Sequence, residues 1–334
     1  MNDVPSELLD FIRTGSKFLI AGHKEEDGDC VGSQLALCSV LKRLGKEAIP
    51  CSAGPFKRTE VKPYEKYFCT TMDEKLREGA RLIITDCNEI ERTGDLAPFL
   101  KGLPAAFIDH HKAGQDELLK NSGPFYICES APSVTLLILH LMDALGLQLS
   151  VEEAEYLLFG LCTDTGFFRH GDTASCETFE AAARLVCAGA SPRRTYQTIY
   201  GGKSLGSRHF LGSILSRTES FFAGKLLVTT EEYDEIQLYG AEGRDSDALY
   251  QLLQAVDGVE AIAVIRQEKP DTCTVGFRSR EDADVAAVAA YLGGGGHKNA
   301  AGASVSGTIP QLKTKILELF ADIFQDKQSD IPGK

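Results

Sequence analysis

Lys17-Phe18-Leu19-Ile20-Ala21-Gly22-His23-Lys24-Glu25-Glu26-Asp27-Gly28-Asp29 is the stretch from which the fold is read. Lys17 to Ala21 is an apolar run of strand length, and Gly32-Ser33 opens a stretch to Leu44 whose apolar residues recur at helical intervals. Strand, acidic loop and helix make the first half of a βα unit. The alternation continues with strands expected at Arg81 to Thr85, Ala105 to Ile108 and Phe125 to Cys128. A helix is expected from Ser133 to Leu145, with Pro132 at its start and Gly146 at its stop. This pattern predicts an α/β fold, a doubly wound parallel sheet with helices on both faces.

After Ala190 the character changes. Residues 191–218 hold Arg193, Arg194, Lys203, Arg208 and Arg217 and no acidic residue. This segment reads either as a solvated helical connector or as a hinge near an anionic substrate. Beyond it, strands are expected at Leu226 to Thr230, Ala261 to Gln267 and Thr272 to Phe277. Helical segments fall around Glu231 to Leu238, Ser246 to Ala255 and Gln311 to Ile323, and a polar tail after Gln325 is expected to fray. The predicted organisation is a metal-binding domain over 1–190, a basic linker over 191–218 and a smaller α/β domain over 219–334, with the active site in the cleft between the domains.

The whole chain restricts its partners. Its 334 residues carry 35 Lys and Arg against 48 Asp and Glu, a net charge of −13. That field opposes long duplex nucleic acid and anionic membrane, so a phosphate-bearing ligand must be recruited locally. The acidic N-terminus does not read as a secretory leader, which predicts a cytoplasmic location. The greasy run from Ser133 to Leu149 is broken by His140 and Asp143 and falls short of the roughly 20 residues a membrane span needs. Ten cysteines with no CxxC pair suit reduced, packed thiols, and Cys38, Cys69 and Cys187 are read that way, as are Cys30, Cys87 and Cys162 beside the acidic motifs, for which metal ligation is the lesser alternative.

Chemistry concentrates where strands end. His23, Asp27 and Asp29 follow the first strand, and alternation along an extended loop would let them converge, with Gly28 permitting a sharp turn. Asp86 ends the strand at Thr85, Asp109-His110-His111 ends the strand at Ile108, and Asp164 lies in Thr163-Asp164-Thr165-Gly166 after a helix near Val151 to Leu161. In open parallel sheets, ligands bind beyond the carboxyl ends of the strands. The donors are carboxylates and imidazoles without thiolate, a set suited to Mn²⁺ or Mg²⁺, with Fe or Co also compatible. They exceed what one ion accepts, so two ions about 3.5 to 4 Å apart are expected, the arrangement used for in-line phosphoryl transfer. Further along, the run Gly293-Gly294-Gly295-Gly296 before His297 offers backbone N–H groups to an anion. Gly202-Lys203-Ser204 lacks the upstream glycine and strand of a P-loop, and His140, His170 and His209 read as ordinary surface or helix residues.

With these motifs in this order, the sequence resembles the DHH phosphoesterase family, named for the triplet found here as Asp109-His110-His111. Gly293 to His297, with Lys298-Asn299-Ala300-Ala301-Gly302, resembles the signature of its associated substrate-binding domain. The resemblance implies that His23, Asp27 and Asp86 hold a first Mn²⁺ and that Asp29, Asp86, His110 and Asp164 hold a second, with Asp86 bridging. Mg²⁺ or Co²⁺ are allowed substitutes. It implies that Asp109 orients the histidine that follows it, that His111 contacts the scissile phosphate, and that Arg278, Ser279, Gly295, Gly296 and His297 grip substrate. Arg278 would also stabilise charge during the reaction. The family usually has Asn-Pro where Glu25-Glu26 stand, and the extra charge near the mouth is expected to bear on metal affinity or substrate choice. The implied activity is hydrolysis of short oligoribonucleotides to 5′-mononucleotides and of adenosine 3′,5′-bisphosphate to AMP and phosphate. The alternatives are a cyclic di-AMP or pApA phosphodiesterase, an inorganic pyrophosphatase, and a nucleotide sensor without catalysis. A homodimer is compatible with the sequence and not required by it.

Overall fold

The computed structural model describes residues 3–112, 123–169, 175–280 and 283–326. His170 and the tail beyond residue 326 lie outside the described residues. The chain divides into two compact units, 1–202 and 203–334.

In the first unit, strands β1 (Lys17–Ala21), β2 (Glu47–Cys51), β3 (Ala80–Thr85), β4 (Ala105–Asp109) and β5 (Phe125–Ile127) pair in parallel in the order β2-β1-β3-β4-β5. The four strands expected from sequence are present; β2 was not expected. It contains Pro50, which lacks an N–H for a ladder and is tolerated because β2 is an edge strand.

Helices α1 (Ser6–Thr14), α2 (Gly28–Arg43), α3 (Glu74–Arg77), α4 (Ala97–Leu100), α5 (Val134–Ala144), α6 (Val151–Asp164), α7 (Cys176–Cys187) and α8 (Pro192–Tyr200) complete the unit. Phe18, Ile20, Ile83 and Ile108 pack with the apolar faces of α1, α2, α5, α6 and α7 on one side of the sheet. Leu19, Leu82, Ile84 and Phe107 meet α4 and flanking segments on the other. The strand order reverses between β1 and β3, which places a crevice at their carboxyl ends.

Helix α2 starts earlier than the apolar spacing suggests. The Asp27 carboxylate accepts from the Cys30 N–H at 3.1 Å, a side-chain cap that draws Gly28 and Asp29 into the first turn. Asp29 is therefore helical, where an extended loop was expected. Helices α2 and α6 approach closely: a Cβ on Gly32 would lie 2.5 Å from the Tyr156 carbonyl oxygen, and one on Gly160 would lie 3.0 Å from the Asp29 Cα. That contact sets Asp29 beside the carboxyl end of α6, whose last residue is Asp164.

The second unit is a mixed sheet of β6 (Glu219–Phe221), β7 (Leu226–Glu231), β8 (Ala261–Lys269), β9 (Thr272–Ser279), β10 (Gly295–His297) and β11 (Ala300–Ser306), ordered β10-β11-β9-β8-β7-β6. Only β7 and β8 pair in parallel. Helices α9 (Leu205–Ser216), α10 (Tyr233–Gly243) and α11 (Ser246–Gln254) cover one face, and α12 (Val285–Tyr291) and α13 (Ile309–Asp326) cover the other. An α/β fold with a smaller second α/β body is the architecture expected from sequence.

The division between units falls inside 191–218, between α8 and α9. Most of its basic side chains have acidic partners: Arg194 with Glu155 at 3.4 Å, Arg208 with Asp245 at 2.6 Å, Arg217 with Glu235 at 2.5 Å and Lys203 with Asp245 at 3.8 Å. Ser204 caps α9, which gives Gly202-Lys203-Ser204 a structural use. The ten cysteines are free thiols, but Cys187 is exposed at the end of α7 and Cys69 only half-buried, unlike the packed positions expected for them. Among the described residues no helix is long and apolar enough to cross a membrane.

Candidate metal centre

The crevice between β1 and β3 collects the acidic and imidazole residues. Past β1, Gly22 carries the chain where a Cβ would lie 2.3 Å from the Cys30 Sγ, and His23 follows. Its Nδ1 is 2.8 Å from the Lys24 carbonyl oxygen; a carbonyl only accepts, so Nδ1 carries the hydrogen. Nε2 then faces inward, 3.3 Å from Asp86 Oδ2 and 3.7 Å from Asp27 Oδ2. Asp86 follows β3 with φ 63°, a left-handed conformation that Asp adopts at a cost and that aims its buried carboxylate into the crevice.

His110 follows β4 and repeats the device. Its Nδ1 donates to the Ala131 carbonyl at 3.1 Å, and Nε2 faces Asp86 Oδ1 at 3.6 Å and Asp164 Oδ2 at 3.3 Å. Fixing one ring nitrogen on a backbone carbonyl and aiming the other at carboxylates is how metal-binding histidines are held. Asp29 is fully buried and accepts the first N–H groups of α5, Val134 at 2.5 Å and Thr135 at 2.9 Å. It caps α5 from another helix, because Ser133 makes no side-chain cap there.

Among the described residues three groups form, the donor atoms within each lying within 4.8 Å of one another: His23, Cys30 and Asp86; Asp86, His110 and His111; Asp29, His110 and Asp164. Asp86 and His110 each belong to two of them. Asp27 joins through His23. The six residues expected as metal ligands therefore meet in one place.

The residues fit a cation. Asp86 Oδ1, Asp109 Oδ2 and His110 Nε2 are buried with no hydrogen-bond partner among the described residues. Burial, and then the charge of Asp29, push Asp86 up to about 8. Burial, with the charges of Asp29 and Asp86, lifts Asp164 well above the usual carboxylate range, and burial also raises Asp29. Burial works against a charged His23, yet Asp27 and Asp86 outweigh it and lift the ring to about 11, while burial of Asp27 is outweighed by His23, which holds it at about 2. So many carboxylates in so little solvent demand positive charge, and the oxygen-rich donor set suits a hard divalent ion.

The triplet works differently from the expectation in one respect. Asp109 Oδ1 accepts the backbone N–H of His110 at 2.8 Å and of His111 at 3.1 Å, and it lies 2.8 Å from His111 Nδ1. The ring it orients is that of His111; the ring of His110 is held by Ala131 instead. The Asp109 hydrogen bond raises the His111 pKa above its ordinary value, and Nε2 is left for another partner. Glu25 is exposed and pairs with Lys57 at 3.4 Å, whereas Glu26 is buried and accepts the Ser52 hydroxyl.

Sequence reasoning read one thiol chiefly as packing and missed two backbone N–H groups and two arginines. Cys30 reads chiefly as packing because a strand-end neighbour tends to point away, with metal ligation the lesser alternative, but it sits on the first turn of α2 and its Sγ joins the His23 group; burial raises the thiol well above its usual range. The N–H groups of Val134 and Thr135 carry no side-chain signal at all. The charge of Arg58 helps to lower Asp27, and that of Arg92 opposes the rise of His111.

In the second unit, Arg278 and Ser279 end β9. They point to opposite faces, as strand neighbours must. The Ser279 hydroxyl is buried and donates to the Ala283 carbonyl at 2.6 Å, so it ties the strand end down. Arg278, Ala300 and His297 lie opposite one another across β9, β11 and β10, so Arg278 and His297 share a face two strand spacings apart. Gly295 and Gly296 lie on the exposed strand β10. Glycine is needed at 296 because φ is 146° and a Cβ would lie 2.5 Å from the Ala300 carbonyl oxygen, and a Cβ at 294 would lie 2.1 Å from that of Gly302.

A parallel α/β sheet that gathers buried carboxylates and carbonyl-anchored imidazoles at its switch point defines a metal-dependent phosphoesterase. The chain belongs to the DHH family: residues 17–161 match the DHH family N-terminal domain and residues 232–326 match the DHHA1 domain. It is 32% identical over 305 residues to the bifunctional oligoribonuclease and PAP phosphatase NrnA of Thermus thermophilus, covering 90% of this chain and 87% of that one. It is 26% identical to the cyclic-di-AMP phosphodiesterase GdpP of Geobacillus thermodenitrificans, over 95% of this chain but only 49% of that protein's length. Its fold matches the crystal structure of an exopolyphosphatase-related protein from Bacteroides fragilis with a TM-score of 0.80 at 20% identity, over 96% of this chain and 94% of the other.

Proposed function

We propose that this phosphoesterase releases 5′-mononucleotides from short oligoribonucleotides and converts adenosine 3′,5′-bisphosphate to AMP and phosphate, using two Mn²⁺ ions. The observation that carries the reading is Asp86: strained, buried and shared between the His23 and His110 groups, which supports reading it as a bridge between two cation sites. Likeness to NrnA over nine-tenths of the chain supports the substrates.

His23, Asp27 and Asp86 would hold one ion, and Asp29, Asp86, His110 and Asp164 the other. Bound there, the ions would supply an activated nucleophile and neutralise charge on the phosphoryl group. The chain's own groups do the rest. Lys24 and Ala131 carbonyls keep His23 and His110 in the tautomer that presents Nε2. Asp109 holds the His111 Nδ1–H, so Nε2 of His111 is the atom that meets the scissile phosphate and moves a proton to the leaving oxygen. Arg278 forks onto a substrate phosphate, and His297 on the same face adds a donor.

Chromatography of products from adenosine bisphosphate, pApA, cyclic di-AMP and an RNA pentamer under identical manganese conditions tests this. AMP with phosphate from the bisphosphate and mononucleotides from the pentamer are expected. Turnover of cyclic di-AMP alone would transfer the assignment to the phosphodiesterase alternative.

A further inference from the structure

A guanidinium that must fork onto a phosphate needs its plane fixed, and Arg278 lies on the half-buried face of β9. The Arg278 Cζ lies 4.6 Å from the centroid of the Tyr250 ring, supplied by α11, and Nη1 donates to the Phe277 carbonyl at 2.9 Å. Tyr250 is buried and in turn seated. A Cβ on Gly276, two residues before Arg278 on the same face, would lie 2.3 Å from the Tyr250 hydroxyl and 3.2 Å from Arg266 Nη1, so only glycine leaves room for the ring.

Behind the ring stands an ion network centred on buried Glu231. Arg266 Nε donates to Glu231 at 2.9 Å, Arg244 Nε donates to the other oxygen of Glu231 at 2.8 Å, and Arg244 Nη2 donates to Glu268 at 2.9 Å. Glu231 is almost fully buried and both its oxygens are taken by arginines, which fixes Arg266 and Arg244 about it. A guanidinium over a ring face is attracted to it, and a cation held there keeps its remaining N–H groups for a phosphate.

We propose that Tyr250 is a positioning residue for substrate capture: its ring, seated by Gly276, fixes the plane in which Arg278 meets a phosphate of the nucleotide. The inference rests on the proposed role of Arg278. It assigns Tyr250 no contact with the reacting atoms.

Steady-state kinetics on adenosine bisphosphate with the manganese-loaded full chain tests it, with metal content and thermal melts measured on every variant. Tyr250→Leu should raise KM about five- to tenfold with kcat within about twofold, and Tyr250→Phe, which keeps the ring, should restore it. Arg278→Ala should raise KM further, and Tyr250→Leu combined with Arg278→Ala should be no worse than Arg278→Ala alone. Tyr250→Met is the second variant should Leu disturb folding, with the same KM signature expected. If Arg278→Ala leaves KM unchanged, the reading of Arg278 itself fails. If Arg278→Ala raises KM while Tyr250→Leu and Tyr250→Met do not, or if the two losses add, the positioning role of Tyr250 is overturned.

Discussion

Asp86 concentrates the chemistry of the site in one side chain. Its left-handed backbone would relax at lower cost in glycine, so the strain is retained for where it aims the carboxylate. Asp86→Ala is expected to lower turnover by at least about a hundredfold and to reduce bound manganese, read by elemental analysis of the purified protein beside initial rates. Near-normal activity would remove the bridging assignment. His297 should behave in the opposite way. His297→Ala is expected to raise KM about tenfold, the loss of one hydrogen bond to a charged group, with metal content unchanged. Loss of manganese there would contradict the division between a unit that holds ions and a face that holds substrate.

Among the elements, the α2 and α6 pair bears the largest structural demand, since it sets Asp29 beside Asp164. Glu153 ties the two. Its carboxylate accepts Arg43 Nη1 at 2.6 Å, the Ser39 hydroxyl at 3.0 Å and the Ser150 N–H at 2.8 Å. Burial works against the charge, but the Ser150 N–H, Arg43 and the two hydroxyls outweigh it and hold Glu153 below its usual range. A depressed carboxylate stabilises the fold above its unfolded pKa and loses that contribution as pH falls through its folded value. Glu153→Gln is expected to cost about 1–3 kcal/mol near neutral pH, a difference that shrinks in urea melts at about pH 3. An equal cost at both values would show that shape, and not charge, holds the pair.

The same elements show what was legible beforehand. Strand ends were legible because apolar runs stop abruptly at Ala21, Thr85 and Ile108, and the ligand residues follow directly. Strand β2 was not, since Pro50 argues against a central strand and says nothing of an edge. The early start of α2 was hidden because Gly28-Asp29 reads as turn chemistry until the Asp27 cap is seen. Contributions from backbone N–H and C=O groups, at Val134, Thr135, Lys24 and Ala131, leave no trace in residue identity. Tyr250 and Gly276, far apart in sequence, acquire a joint meaning only once α11 lies on the sheet.

At the scale of the whole molecule, each unit has its own apolar core, so calorimetry is expected to resolve two transitions. Saturating Mn²⁺ should raise the one belonging to residues 1–202 by about 5 °C or more and leave the other in place. Stripping metal with a chelator should reverse that shift. A shift of both transitions together would mean that the ions are not held by the first unit alone.

Asp29 gives this arrangement an outward signal. One carboxylate both seats the first turn of α5 and faces the proposed second ion, so occupancy of that site would be felt directly by the α5 backbone. Amide hydrogen exchange at Val134 and Thr135 should slow when the cage is filled, making those two protons a reporter of loading that needs no turnover at all.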